Sequence, residues 1–363
     1  MQTTIKTAIS FSGTGLHSGR PATVTIRPAG AHHGIWFSRS DVDVGDRLIP
    51  ARWDAVNRSP LCTKLENAAG LQISTVEHLM AALAGCGIHN ALVEIDGPEV
   101  PILDGSAAPF VRGIMQRGVR VLAAPVRAFE VLKTVTVTDG EASATIAPAD
   151  TMKIDFVIDF ADAAIGHQEK SLVMNNGSFA RELCDSRTFC RQADVDAMQA
   201  NGLALGGHAG ENAVVFGGDQ VLSPGGLRHA DEPVRHKMLD ALGDLALAGA
   251  PLIGHYTGVR AGQFAIATCA LDGSDERLLI TSPHHYDGPD YTPDGGWIWF
   301  NSDRGGGMHL WRIRADGRDP EQMTFGASVD WFAHPSPDGR AVCYLAYAPG
   351  TEGHPAGCEV ELR

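Results

Sequence analysis

His236-Lys237-Met238-Leu239-Asp240, opening a long apolar helix, decides how the front of this chain is read. Residues four apart on a helix lie one above the other on the same face, so this stretch presents an imidazole and a carboxylate a turn apart. Both are metal-ligand types. A solvated ion pair with Lys237 between its members is the alternative. It loses weight because Met238-Leu239, Ala241-Leu242 and Leu245-Ala246-Leu247 leave little polar face, so the His/Asp stripe is expected to point into a cleft. Asp244 continues the stripe a further turn along, either as a surface acid or as a carboxylate that orients a neighbouring catalytic group.

Far upstream, Ile73-Ser74-Thr75-Val76-Glu77-His78 runs into Leu79-Met80-Ala81-Ala82-Leu83-Ala84 and sets a second imidazole at the mouth of another helix. Taken alone, Glu77-His78 is equally well a charged pair at a helix start, where the dipole favours an acid. Joined to His236 and Asp240, His78 gives three ligands from two distant helices with one coordination position open. An open position separates catalytic from structural zinc, and two imidazoles with one carboxylate suit Zn²⁺ best among common metals. Glu77, adjacent to a ligand, is then placed to act as the base toward the attacking water.

The rest of the composition narrows the setting. At 363 residues the chain exceeds the usual single-domain range, and two or three compact units are expected. A formal net charge of -14 and a pI near 5.5 argue against a nucleic-acid or anionic-membrane partner, since either demands clustered Lys and Arg. Seven cysteines, at 62, 86, 184, 190, 269, 343 and 358, form no CxxC pair and fit a reduced compartment; a cytoplasmic location is expected. Met1-Gln2-Thr3-Thr4-Ile5-Lys6 lacks the apolar core of a signal peptide, and no run reaches the length of a transmembrane segment.

Residues 1 to about 125 read as strands (Thr23 to Ile26, Gly34 to Phe37, Ala91 to Ile95) with two helices, one following His78 and one from about Ser106 to Arg117. Residues 126 to about 262 repeat that order. Strands near Ala128 to Thr138, Glu141 to Ala147 and Lys153 to Phe160 precede a helix from about Ser178, a Val-rich strand at Ala213 to Phe216, and the His236 helix. Runs of strands followed by helices indicate α+β layers in two units of like topology. From about 263 to 363 the composition shifts to Gly, Asp, Trp and Pro with a 44-residue repeat: Asp272-Gly273 recurs as Asp316-Gly317, and Pro293-Asp294-Gly295 as Pro337-Asp338-Gly339. Short aromatic strands between such turns are the signature of two WD40-like propeller blades, an all-β segment too short to close a ring. Such a tail is incomplete, docked on the front units, or completed by another chain.

Three further motifs have plain readings. Gly13-Thr14-Gly15-Leu16-His17-Ser18-Gly19 fits neither phosphate-loop spacing and is expected to be a tight turn between strands. Pro101-Ile102-Leu103-Asp104-Gly105-Ser106 reads as a turn into a helix capped by Ser106. Cys184-Asp185-Ser186-Arg187-Thr188-Phe189-Cys190 is either a helix-ending turn or a segment that offers the Thr188 hydroxyl to an oxyanion; its cysteine spacing is not that of a zinc knuckle.

Together, Gly15-Leu16-His17-Ser18-Gly19, Ser74-Thr75-Val76-Glu77-His78-Leu79, Pro101 to Ser106, Arg187-Thr188-Phe189 and Val234-Arg235-His236-Lys237-Met238-Leu239-Asp240 closely resemble the UDP-3-O-acyl-N-acetylglucosamine deacetylase family, zinc amidases of lipid A biosynthesis. The resemblance covers about residues 1 to 262. It implies two sandwiched α+β domains, each with a small insert, with His78, His236 and Asp240 as zinc ligands. It also implies Glu77 as general base, Thr188 as oxyanion partner, Lys237 as a charge near the transition state and Asp244 as a supporting carboxylate. The substrate would be a UDP-linked acylated glucosamine, with Phe160 against uracil, Phe189 beside it, Asp194 near the nucleotide, and the acyl chain along an insert near residues 190 to 215.

The chain departs from that family at one position. A second acid/base histidine, expected after Ser-Gly or Ala-Gly, is replaced here: Ala261-Gly262 is followed by Gln263, and from Phe264 the chain resembles TolB-type β-propeller repeats. Glutamine donates a hydrogen bond but delivers no proton near neutral pH. A zinc deacetylase of reduced turnover is therefore expected; His255 and His229 read first as surface or loop histidines, with substitution for the missing proton donor as the alternative. The rival is a catalytically weak zinc-binding protein whose tail recruits a protein partner; a zinc amidase on another amide is a third option.

Overall fold

Two five-stranded sheets of one topology frame the front of the molecule, seen here in a computed structural model of the chain. It describes residues 1–261 except 44, 58, 60, 140 and 176, and residues 286–362 except 293–295, 304, 315–318, 337–339, 350 and 352–359. In the first sheet the spatial order is Ile9–Thr14, Pro21–Pro28, Ala91–Ile95, Ile35–Arg39, Leu48–Pro50. Neighbours are antiparallel except Ile35–Arg39 beside Ala91–Ile95. The second sheet runs Val135–Asp139, Ala142–Ala147, His255–Val259, Lys153–Asp159, His167–Val173, and its single parallel pair falls at the same place. Alternation explains which face is covered: Ala22, Val24 and Ile26 are buried while the residues between them are more accessible.

Five α-helices accompany these sheets among the described residues: α1 (Glu77–Gly85), α2 (Ala108–Arg117), α3 (Ser178–Glu182), α4 (Gln192–Ala200) and α5 (Glu232–Leu245). In α1 every residue from Glu77 to Leu83 is buried, and in α5 only Arg235 and Lys237 escape burial. Helices covered all round belong to a core. One apolar core runs from Val24, Ile26 and Val93 of the first sheet, through Leu79, Met80, Leu239 and Leu242 of α1 and α5, to Ile154 and Phe156 of the second. Each sheet is accompanied by a three-stranded insert, Val56–Asn57 with Lys64–Glu66 and Gln72–Ser74 in the first half, Phe189–Arg191 with Val214–Gly217 and Gln220–Val221 in the second.

The mixed α/β character holds, with many strands and few helices. Elements without an apolar period were not legible in advance. Strand His167–Val173 and helix α4 bury none of their residues. The stretch expected as one strand from Ala128 to Thr138 is two: Phe129–Glu130, parallel to Leu252–Ile253, and Val135–Asp139. Leu132 between them is 76% exposed, and the pairing of the first piece ends with the Val131 N–H on the Ile253 carbonyl.

The chain divides into two compact units, Met1–Ser274 and Asp275–Arg363. The expected boundary at 262–263 lies outside the described residues. In the second unit, Tyr286–Tyr291, Trp297–Ser302, His309–Arg314 and Glu321–Gln322 form a four-stranded antiparallel sheet, and Val329–Pro335, Val342–Tyr347 and Val360–Leu362 a three-stranded one. The sequence repeat reappears in the backbone: a register shift falls between Asp287 and Asp290 in one sheet and between Trp331 and His334 in the other. Among the described residues these strands do not close a barrel or a propeller. The expected incomplete propeller is thus seen only as two sheets sharing the Trp299, Leu310 and Ala333 core.

Candidate metal centre

Thr75, at φ 58, turns the chain from strand Gln72–Ser74 toward α1, and Glu77 enters as the first helical residue. The start of α1 rests on α5. At Gly243 a Cβ would stand 2.1 Å from the Glu77 carbonyl oxygen, so only glycine lets the two backbones meet there. That contact gathers side chains from positions 78 and 236–240 at one point.

His78, His236 and Asp240 are 4%, 2% and 7% exposed, and one potential ligand atom from each lies within 4.8 Å of the others. Both imidazoles aim Nε2 at the same oxygen: His78 at 3.5 Å and His236 at 3.3 Å from Asp240 Oδ1, with the rings nearly perpendicular at 86°. These separations exceed the ~2.7–3.2 Å of an N–H···O bond. They match the roughly 3.3–3.4 Å between ligands of a tetrahedral ion with bonds of ~2.0–2.1 Å. Asp240 Oδ1 is buried with no hydrogen-bond partner, a state rare for a buried polar atom. His236 Nδ1 donates to the Ser186 carbonyl at 2.9 Å, which leaves Nε2 its lone pair. Burial lowers the His236 pKa to about 4 despite the adjacent Asp240 carboxylate, so the ring is neutral. The donor set and the orphaned oxygen fit a divalent cation, and this is the only such group of His, Cys, Asp or Glu among the described residues.

Asp240 divides its two oxygens. Oδ2 accepts from Lys237 Nζ at 3.0 Å. Burial alone would raise this carboxyl, but the Lys237 ammonium on Oδ2 opposes it, and the carboxyl lies well below the usual aspartate range. Asp244 and Glu77 behave oppositely. Burial, followed by the Asp240 charge, pushes Asp244 up to about 7. Glu77 is raised well above the ordinary glutamate value by burial, then by Asp240 and Asp244. One residue that sequence reasoning missed joins the pair: Thr63 gives its backbone N–H to Glu77 Oε2 at 3.1 Å and its hydroxyl to Asp244 Oδ1 at 2.6 Å. It lies outside any regular element, beyond the reach of periodicity.

Around this group, Phe189 packs edge-on to His236 at 6.4 Å between ring centroids and to Phe160 at 5.6 Å, a continuous aromatic line from His236 to the sheet end. Thr188 sits two residues beyond Ser186, its backbone N–H on the Gly105 carbonyl at 2.8 Å. Gly105 has φ +82 and a Cβ there would lie 2.0 Å from the Asn212 carbonyl oxygen, so the Pro101–Ser106 turn packs on the Asn212 backbone as well as accepting from Thr188; α2 starts two residues on, with Ala107 rather than the expected Ser106 at its cap position. The Gly15–Gly19 stretch is a turn, its His17 and Ser18 N–H groups both on the Glu99 carboxylate. Asp194 is held by Arg191 through two 2.7 Å hydrogen bonds. His255 and His229 pair with Asp155 and Asp185, at 2.7 and 2.9 Å. Gln263 lies outside the described residues.

Residues 2–268 match the family model for UDP-3-O-acyl N-acetylglycosamine deacetylase. Curated UDP-3-O-acyl-N-acetylglucosamine deacetylases are similar: that of Phenylobacterium zucineum is 49% identical over 72% of this chain and 89% of its own length, and that of an Anaeromyxobacter strain 46% over 78% and 89%. A Shewanella relative of the same name is 39% identical over 82% of this chain and 99% of its own. A solved structure assigned as TolB of Agrobacterium tumefaciens is 45% identical over 23% of this chain and 30% of that chain, at a TM-score of 0.23, too low to bear on the fold.

Proposed function

Because the chain belongs to the UDP-3-O-acyl N-acetylglycosamine deacetylase family, we propose that it is a zinc-dependent deacetylase that removes acetate from UDP-3-O-acyl-N-acetylglucosamine in lipid A biosynthesis. The observation that carries this reading is the buried convergence of His78, His236 and Asp240 beside Glu77. Zn²⁺ held by those three residues would polarise the acetamide carbonyl and acidify a water. Glu77, its proton affinity raised by burial and by two neighbouring carboxylates, accepts the proton of the attacking water. The Lys237 ammonium, anchored on Asp240, and the Thr188 hydroxyl answer the negative charge that develops on the carbonyl oxygen. Asp244, tied to Thr63, supports the base.

The aromatic line through Phe189 and Phe160 supports a nucleobase contact at its far end, and Asp194 with Arg191 borders the same insert. Leu203, Leu205 and Leu222, at 36%, 52% and 44% exposure, give that insert apolar surface for an acyl chain. A UDP-sugar substrate and the free thiols at Cys62, Cys86, Cys184, Cys190 and Cys343 support a cytoplasmic setting; no described helix is long and apolar enough to cross a membrane.

Gln263 occupies the place of the family's second acid/base histidine, so protonation of the leaving amine is the weak step, with turnover lowered by about 10²–10⁴-fold. The test is acetate release by the purified, zinc-loaded chain. Gln263→His should raise the rate, and Asp240→Ala should abolish both zinc retention and turnover. Undiminished release by Asp240→Ala would overturn the proposal. Stoichiometric zinc with no turnover, even in Gln263→His, would favour the second reading, a zinc-binding protein whose tail recruits a partner.

A further inference from the structure

Glu232, the first residue of α5, is fully buried, and its carboxylate accepts four hydrogen bonds. Oε1 takes the Arg187 backbone N–H and Nε, each at 2.9 Å; Oε2 takes Arg187 Nη2 at 3.1 Å and the Arg228 backbone N–H at 2.6 Å. Arg187, 5% exposed, spends a further Nη2 hydrogen on the Gly226 carbonyl at 2.8 Å. This is the planar fork that lysine cannot reproduce. The pair closes a small ring of structure. Glu232 stands one turn before His236 on α5, Arg187 follows Ser186 directly, and the Ser186 carbonyl receives His236 Nδ1. A buried ion pair contributes little stability over an apolar pair of the same volume, so stability alone does not account for it here.

We propose that the Arg187–Glu232 pair is a positioning device for the metal centre: it clamps the Ser186 carbonyl onto His236 Nδ1 and so keeps Nε2 turned toward Asp240 and His78. The proposal rests on the zinc reading above and concerns how one ligand is held. A ligating histidine that loses the partner of its other nitrogen typically loses 10–100-fold in metal affinity. Arg187 and Glu232 touch neither ion nor substrate, and their effect reaches the site through Ser186.

Two variants of the full chain test this. Arg187→Lys keeps the charge and the backbone N–H but loses the fork; Arg187→Met with Glu232→Leu removes both charges at similar volume, and urea unfolding establishes that each variant is folded before zinc is measured. Zinc affinity, read by chelator competition, should fall by about 10–100-fold in both at unchanged stoichiometry. Arg235→Lys, on the same helix but directed at Asp231 and Glu182, should leave it unchanged. In zinc-free protein, imidazole ¹⁵N shifts should put the His236 proton on Nδ1 in the parent and lose that preference in the double variant. Wild-type affinity and tautomer in the double variant would overturn the clamp. If the parent itself takes up no zinc, the zinc reading fails and the tautomer alone decides the clamp.

Discussion

Gly243 shows what a single absent methyl does for the site. Helix propensity alone would favour alanine over glycine in the interior of α5 by about 1 kcal/mol. Packing says the reverse, because the added Cβ would stand 2.1 Å from the Glu77 carbonyl oxygen, which is backbone and cannot swing aside as the end of a flexible side chain would. Gly243→Ala must therefore push the start of α1 away from α5, carrying Glu77 and His78 off Asp240. Overpacking of this kind costs roughly 1–3 kcal/mol. The expected outcome is a net loss of stability in urea unfolding together with weaker zinc retention against a chelator. A stabilised variant with parental zinc affinity would show that the helices part without cost. The same reasoning separates two scales of effect at His236, whose ring is neutral because it is buried and whose direction is fixed because Ser186 accepts from Nδ1.

The first turn of α5 owes its place to a charge. Burial would raise the Glu232 carboxyl, but hydrogen bonds from the Arg187 side chain and from the Arg187 and Arg228 backbones outweigh it and hold the folded value below that of an ordinary glutamate. A depressed folded pKa means the stabilisation is fully present above the unfolded value of ~4.3 and is lost as pH falls through the folded one. Glu232→Gln leaves Arg187 without its counter-charge, which at about pH 7 should cost on the order of 3–5 kcal/mol. The gap between variant and parent should then narrow as pH falls below the unfolded value of ~4.3 and close once it passes the depressed folded value, where the parent's carboxyl is itself protonated. Urea midpoints across that range check it, and a gap independent of pH would mean the carboxylate charge contributes nothing.

Elements of this kind also mark the limit of what the sequence discloses. The apolar runs behind His78 and around His236 announced α1 and α5, the spacing within His236–Asp240 announced a shared face, and strand Ala91–Ile95 has the bounds expected of it. The family motifs added an expected role for Lys237 and chose between the two readings of Thr188. By contrast, Arg187 and Glu232 are 45 residues apart and Thr63 and Asp244 181 apart, and neither pair carries a local pattern. Helix α4 and strand His167–Val173 bury no residue, so no period marks them; only their neighbours hold them in place. Buried polar partners and edge elements are decided by tertiary contact, and a reading built on periodicity passes over both.

Across the whole molecule, stability is vested in separate cores. The front unit has one continuous apolar core through both sheets and the helix pair. The second unit has its own small clusters, Ile298 with Phe300 and Ile313, and Trp299 with Leu310 and Ala333. The prospective ligands all belong to the front unit. A ligand stabilises only the cooperative unit whose folded form binds it, by about 2.7 kcal/mol at a free concentration a hundred times Kd. For a unit of more than 200 residues, each kcal/mol moves the midpoint by roughly 2–4 °C. Calorimetry of the full chain should therefore resolve two transitions, and saturating zinc should raise the one belonging to the front unit by several degrees while a chelator reverses it. The second transition should not move. A single endotherm that shifts as a whole would mean the two units unfold as one body, and the aromatic tail would then have to be counted as part of the fold that holds the metal centre.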